Sequence, residues 1–174
     1  MKKVLLGLTI IALGITSANA QKGTSSMPIT FSIGLEPAIP IGNFQDVYGF
    51  GIGGTLQGEY KPADDLGLTL NTGYINYSGK NITFNGVTID AGNFGIIPFL
   101  AGVKYYFSPK AYAHGQLGAA FSTSSGGGTS FAYTPGVGFI LSKNIDLLVK
   151  YVAYSKNKET LSSIGARLAY NFGK

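Results

Sequence analysis

"PFLAGVKYYFSPKAYAHGQLGAAF", residues 98–121, alternates large apolar side chains with small or polar ones on both sides of a Ser108-Pro109-Lys110 break. In its first half Phe99, Ala101, Val103, Tyr105 and Phe107 share one parity, while Gly102, Lys104 and Tyr106 share the other. A period of two is the mark of a strand, and two such runs around a Pro-containing break form a hairpin. The open question is which face is wet. A soluble strand turns its large apolar residues to its own core and its charge to water. Here the polar parity carries the small residues, so the space behind Lys104 is narrow and the opposite surface is broad and greasy.

The same alternation recurs along the chain. It predicts eight strands, at 29–39, 50–60, 65–77, 94–107, 111–121, 130–141, 144–154 and 161–172, with no helical period of useful length. Each is close to the about 9–11 residues that a tilted strand needs to cross a bilayer. The connections 61–64, 108–110 and 142–143 are tight, whereas 40–49, 78–93, 122–129 and 155–160 are longer. One end is trimmed and the other decorated, as in barrels with short periplasmic turns and longer external loops.

Six charges fall well inside these strands: Glu36, Glu59, Lys104, Asp146, Lys150 and Arg167. All six share the polar parity, together with Gln57, Asn71, His114 and Gln116. The fold expected is therefore all-β, an eight-stranded antiparallel up-and-down transmembrane barrel with its apolar face toward lipid. Aromatics on the apolar parity form two bands. Phe31, Tyr60, Tyr105, Phe107, Phe139, Tyr170 and Phe172 lie toward the tight turns; Phe50, Tyr74, Phe121, Phe131, Tyr133 and Tyr151 lie toward the longer loops. Such girdles suit the headgroup zones of a membrane.

Composition agrees. Of 174 residues 26 are Gly, eleven Tyr and eleven Phe, and only 12% are charged, where a soluble domain carries about 25%. The chain has no Cys, which excludes a disulfide framework and a thiolate metal site. Met1-Lys2-Lys3, an apolar run over 4–15 and Ala18-Asn19-Ala20 read as a secretory signal over 1–20, followed by a short lead over 21–28 and the barrel over 29–172. Without Lys2 and Lys3, eleven basic residues face eight acidic ones, a net charge of +3. So small a surplus, spread along the chain, argues against a nucleic-acid partner.

Inside eight strands there is room for side chains or one small ligand. Three carboxylates balance three cations, and buried charges need partners, so the six charges are expected to form an internal ion network. Glu36 and Arg167 should be neighbours where the first and last strands close, and Lys104 should meet Glu59 or Asp146. The rival reading is a narrow ion path or small-ligand carrier through the interior. His114 is the only histidine and lacks the nucleophile and acidic orienter of a hydrolase, so no catalytic residue, cofactor or metal is expected. "SSGGG" (124–128) lacks the Lys and helix of a phosphate loop. "NITFNGVTID" (81–90) alternates around Asn85-Gly86, a strong hairpin signal, and offers Ile82, Phe84, Val87 and Ile89 to an unidentified surface ligand or protein. A soluble lipocalin-like binder fails on parity, since its apolar residues would point inward.

The phrases "PIGNF" (40–44), "YGFGIGGTLQGEY" (48–60), "AGVKYYFSPKAYAHGQLGAAF" (101–121), "YTPGVGFILSKNIDLLVKY" (133–151) and "SSIGARLAYNF" (162–172) resemble the small eight-stranded outer-membrane β-barrel family. The likeness is to the versions abundant in Bacteroidetes and covers essentially all of the chain after the expected leader, residues 21–174. It implies a monomeric barrel in outer-membrane lipid, inserted by the barrel-assembly machinery, and says little about activity, since members of such families differ widely in function. The chain departs from that family in placing Gly173 and Lys174 after Phe172.

Overall fold

The computed structural model describes residues 29–84, 87–124 and 127–172; the leader and lead, 1–28, lie outside them. Strand β1 (Ile29–Ile41) is followed by a one-turn helix α1 (Asn43–Val47), β2 (Tyr48–Ala63), β3 (Leu66–Gly79), and two short strands, β4 (Asn81–Phe84) and β5 (Val87–Asp90). Then come β6 (Phe94–Ser108), β7 (Ala111–Ser122), β8 (Thr129–Ile140), β9 (Ile145–Lys156) and β10 (Glu159–Phe172). Eight strands close a barrel in the order β1-β10-β9-β8-β7-β6-β3-β2. Every neighbouring pair in it is antiparallel.

Parity decides the inside. The six strand charges are each between 1% and 4% exposed, whereas Leu70, Phe99 and Leu117 are 58–60% exposed on the wall. An inside-out pattern of this kind is stable only with lipid around it. Three prolines mark where the ladders lapse. Bridges are missing at Glu36 and Pro37 toward β10, at Ile97 and Pro98 toward β3, and at Thr134 and Pro135 toward β9. A proline has no N–H to donate, and each is bridged on its other side.

Two connections differ from expectation. The loop expected over 155–160 is a two-residue turn: β9 runs to Lys156 and β10 starts at Glu159, with Asn157 at φ 51° and Lys158 at φ 69°. Both are left-handed, the backbone of a type I′ hairpin whose twist matches its strands. The polar run masked this, because Asn reaches that region cheaply while Lys gives no such signal. The other is α1, too short to show a 3.6-residue period; Gly42, at φ 59°, turns the chain into it. The expected hairpin is present as β4 paired with β5, a separate two-stranded sheet, although Asn85 and Gly86 lie outside the described residues.

The lumen has two characters. Toward the loop end it is apolar: Ala38, Phe44, Ile75, Tyr77, Ile96, Leu100, Ala120, Ala132, Val152 and Tyr154 form one buried cluster. Toward the turn end it is polar and charged. The polar interior expected from parity thus holds for the turn half and the middle, while the loop half is a hydrophobic plug.

Candidate functional site

The charged half is built by alternation along β1, β2, β6, β9 and β10, which aims every second side chain inward. Lys104 Nζ donates to Glu59 Oε2 at 2.9 Å, and Tyr106 donates to Glu59 Oε1 at 2.5 Å. Lys61 Nζ stands 3.8 Å over the Tyr106 ring, and Lys104 Nζ stands 4.5 Å over the Tyr112 ring. Tyr112 in turn donates to Asp146 Oδ1 at 2.7 Å, and Asn171 Nδ2 donates to Asp146 Oδ2 at 2.8 Å. Of the two acids considered for Lys104 it meets Glu59, and Asp146 is held by neutral donors.

Glu36 is shared by two cations. Lys150 Nζ lies 2.7 Å from its Oε2 and Arg167 Nε lies 3.6 Å from its Oε1. Thr55 donates to Glu36 Oε1 at 2.8 Å, while Arg167 Nε donates to Thr55 Oγ1 at 2.9 Å and Arg167 Nη2 to Ser32 Oγ at 3.0 Å. Arg167 therefore leaves β10, crosses β1 and fastens to β2, clasping the seam where the barrel closes. It can do so because Gly34 lies beneath it. A Cβ on Gly34 would sit 2.6 Å from Arg167 Nε. Gly138 gives Tyr112 the same room, since a Cβ there would lie 2.1 Å from Tyr112 Cζ. Each inward glycine of this kind makes space for a large side chain lying across it, which is how so narrow a lumen is filled.

The outer mouth is closed by α1. Phe44 is 1% exposed, and its ring centroid lies 4.9 Å from Tyr77, 5.1 Å from Tyr48 and 6.1 Å from Phe94. Below it, the Tyr77 and Ser163 hydroxyls bond each other at 3.1 Å. Lys80 Nζ donates to the Gln45 carbonyl at 2.6 Å and Lys80 N to the Val47 carbonyl at 2.8 Å, tethering the helix. Sequence reasoning did not single out Phe44, although an apolar residue set within the polar run Gly42-Asn43-Phe44-Gln45-Asp46 is its signal. Tyr106 and Tyr112, aromatics on the polar parity, are the corresponding signal for the two phenols on Glu59 and Asp146.

His114 bonds Thr69 through Nε2 at 3.0 Å. No group of three or more His, Cys, Asp or Glu able to hold a metal occurs among the described residues. The strand aromatics Tyr60, Tyr105, Phe107, Tyr170 and Phe172 lie on the outward parity toward the turn end, and Phe50, Tyr74, Phe121, Tyr133 and Tyr151 toward the loop end. Tyr60 and Tyr151 are half-buried, and the Tyr151 and Ser162 hydroxyls lie 2.6 Å apart. The lumen is thus apolar above and charge-matched below.

Residues 8–172 match the family model described as the outer membrane protein beta-barrel domain. A comparison with curated protein sequences returns no match. Among solved structures, the chain is similar to Ail, the attachment invasion locus protein of Yersinia pestis, crystallised with the heparin analogue sucrose octasulfate; identity is 20%, coverage is 83% of this chain and 97% of that one, and the TM-score is 0.55. The de novo designed barrel TMB2.3 is 18% identical, with coverage of 87% and 100% and a TM-score of 0.58. OprG of Pseudomonas aeruginosa is 12% identical, with coverage of 84% and 96% and a TM-score of 0.51. At these identities the likeness is one of fold.

Proposed function

The chain belongs to the outer membrane protein β-barrel domain family and resides in the cell outer membrane, and from that premise we propose that its barrel is a filled, non-conducting anchor whose loop end acts at the cell surface. The observation that carries this reading is Phe44, seated in the outer mouth on top of an apolar cluster, with the Glu36, Lys150 and Arg167 ions packed beneath. An ion would have to cross both layers. The surface available for recognition is the β4–β5 hairpin, in which Ile82 pairs with Ile89 and Phe84 with Val87. A two-stranded hairpin is marginal alone, which suits a partner that completes it.

The partner best fitted is a protein surface rather than a polyanion. At the loop end Asp46, Asp90 and Glu159 balance Lys80, Lys156 and Lys158 among the described residues, and Lys80 and Lys156 already donate to backbone carbonyls. On this reading residues 1–20 are a leader removed on export, the barrel-assembly machinery inserts a Bacteroidetes-type barrel over 29–172, and the chain is a monomer without catalytic role or cofactor. The alternative, a small pore or carrier, draws on α1, one turn long, without a side-chain cap and behind a left-handed Gly42. It needs Phe44 to leave and the ion layer to part. Conductance across a planar bilayer separates the two. The folded protein should be silent, and repeatable single-channel steps would overturn the anchor reading.

A further inference from the structure

Five buried polar atoms in the middle of the lumen find no hydrogen-bond partner among the described residues: Gln57 Oε1, Asn71 Nδ2 and Oδ1, His114 Nδ1 and Gln116 Nε2. Their residues are between 2% and 4% exposed, and they lie together. Gln57 stands opposite Asn71 on β2 and β3. Thr69, two positions before Asn71, pairs with Gly102 on β6, and Gly102 pairs with Gln116 on β7. With no side chain on Gly102, Thr69 and His114 reach each other across β6. Register thus gathers the four residues into one neutral patch, with Thr69 and Gln116 lying over Gly102. Leu100, which pairs with Asn71, belongs to the apolar cluster, and Lys104, which pairs with His114, belongs to the ion layer.

Exchanging amide oxygen and nitrogen does not cure the patch. Both side-chain polar atoms of Asn71 are orphans, so turning it over changes nothing. Gln116 already accepts from Thr134 at 3.1 Å, and reversing it only moves the orphan from nitrogen to oxygen. Either ring assignment of His114 leaves one nitrogen over. Buried polar groups are almost always satisfied, so five unmet atoms in one place call for a ligand. The set holds two amide donors and two amide acceptors. An anion would leave the oxygens unmet, and a cation would leave the amide nitrogens unmet beside Lys104. Water supplies donors and acceptors in one small molecule.

We propose that the patch formed by Gln57, Asn71, His114 and Gln116 is an ordered-water site inside the lumen. At about three hydrogen bonds per buried water, five orphan atoms hold about two molecules. Enclosed between the apolar cluster and the ion layer, the waters exchange slowly with bulk and mark the boundary at which the lumen changes character.

The test is magnetisation transfer from water to side-chain amides of the full, ¹⁵N-labelled protein in lipid nanodiscs, at a pH where direct amide hydrogen exchange is slow. Asn71→Leu and Gln116→Leu spectra assign the two amides. Transfer to both Asn71 Nδ2 and Gln116 Nε2, with the sign of a long-lived water, is the result expected. No transfer to either, with direct contact between the Gln57 and Asn71 amides instead, would overturn the site. Asn71→Leu gives a second reading in reversible unfolding. If waters bind there, replacing their partner with an apolar group of similar shape should lower the folding constant about tenfold. A raised constant would mean that the patch is dry, and it would sink the proposal even if the spectra were ambiguous.

Discussion

Gly34→Ala should weaken the barrel through Arg167 rather than through its own strand. The added Cβ would sit 2.6 Å from Arg167 Nε and 2.8 Å from its Cγ and Cζ, so the guanidinium must lift off β1. Lifting it breaks the bonds to Thr55 and Ser32 and removes one of the two cations on Glu36. Breaking a buried ion pair costs about 3–5 kcal/mol. Glu36 keeps Lys150 at 2.7 Å and Thr55 at 2.8 Å, which argues for the low end, about 3 kcal/mol. Arg167→Ala should cost a similar amount by removing the clasp outright. Because both changes break the same contacts, the double variant should cost little more than either one, with a coupling of about 2–3 kcal/mol. Gly54→Ala is the control: its Cβ would have only the Gly34 carbonyl oxygen nearby, at 4.0 Å, and should fall within about 0.5 kcal/mol of the parent. The assay is denaturant unfolding in lipid vesicles, followed by circular dichroism and by the heat-dependent gel shift of the folded form. Strict additivity of Gly34→Ala and Arg167→Ala would refute the clasp.

Three further outcomes follow from the same geometry. Lys104→Met should destabilise by about 3 kcal/mol by stranding Glu59, and Glu59→Gln should recover part of that loss in a double-mutant cycle; zero coupling would break the pair. Val149→Arg, on the wall, should cost about 2–4 kcal/mol near the midplane, far more than Gln116→Ala inside; equal folded yields in vesicles would contradict the facing. Gly138→Ala, whose Cβ would lie 2.1 Å from Tyr112 Cζ, should impair folding severely, while Gly115→Ala, with nothing within 4 Å, should be neutral; matched unfolding midpoints would refute the packing of Tyr112 across Gly138.

What was legible in the sequence is whatever depends on alternation alone. The parity of Phe99, Val103 and Tyr105 against Lys104 sets the facing of β6 without any knowledge of its neighbours, and the same holds for Asp146, Lys150 and Arg167. Which inward side chains meet was less legible, because that depends on the stagger between strands. Parity allowed Lys104 either Glu59 or Asp146, and only the register, Gly67 with Lys104 and Thr69 with Glu59, selects the first. The shared Glu36 and the phenols on Glu59 and Asp146 are contacts of the same kind. The apolar loop half was obscured because Ile75, Ile96 and Leu100 occupy the polar parity as isolated exceptions in separate strands, and only closure gathers them. The α1 lid escaped because one turn has no period. The leader over 1–20 lies outside the described residues, and its cleavage remains a proposal.

The central claim is that the wall faces lipid and the lumen is closed, and β6 tests it most directly. The chain has no Cys, so single cysteines at 99–101 and 103–105 can each carry a spin label in vesicles. Collision rates are then measured with oxygen, which partitions into lipid, and with a water-soluble nickel chelate. Labels at Phe99, Ala101, Val103 and Tyr105 should collide with oxygen, and labels at Leu100 and Lys104 with neither reagent, alternating with parity. Nickel collisions at 100 and 104 would reveal an open aqueous lumen. Oxygen collisions at those positions, with protection at 99, 101, 103 and 105, would turn the barrel inside out and contradict the account.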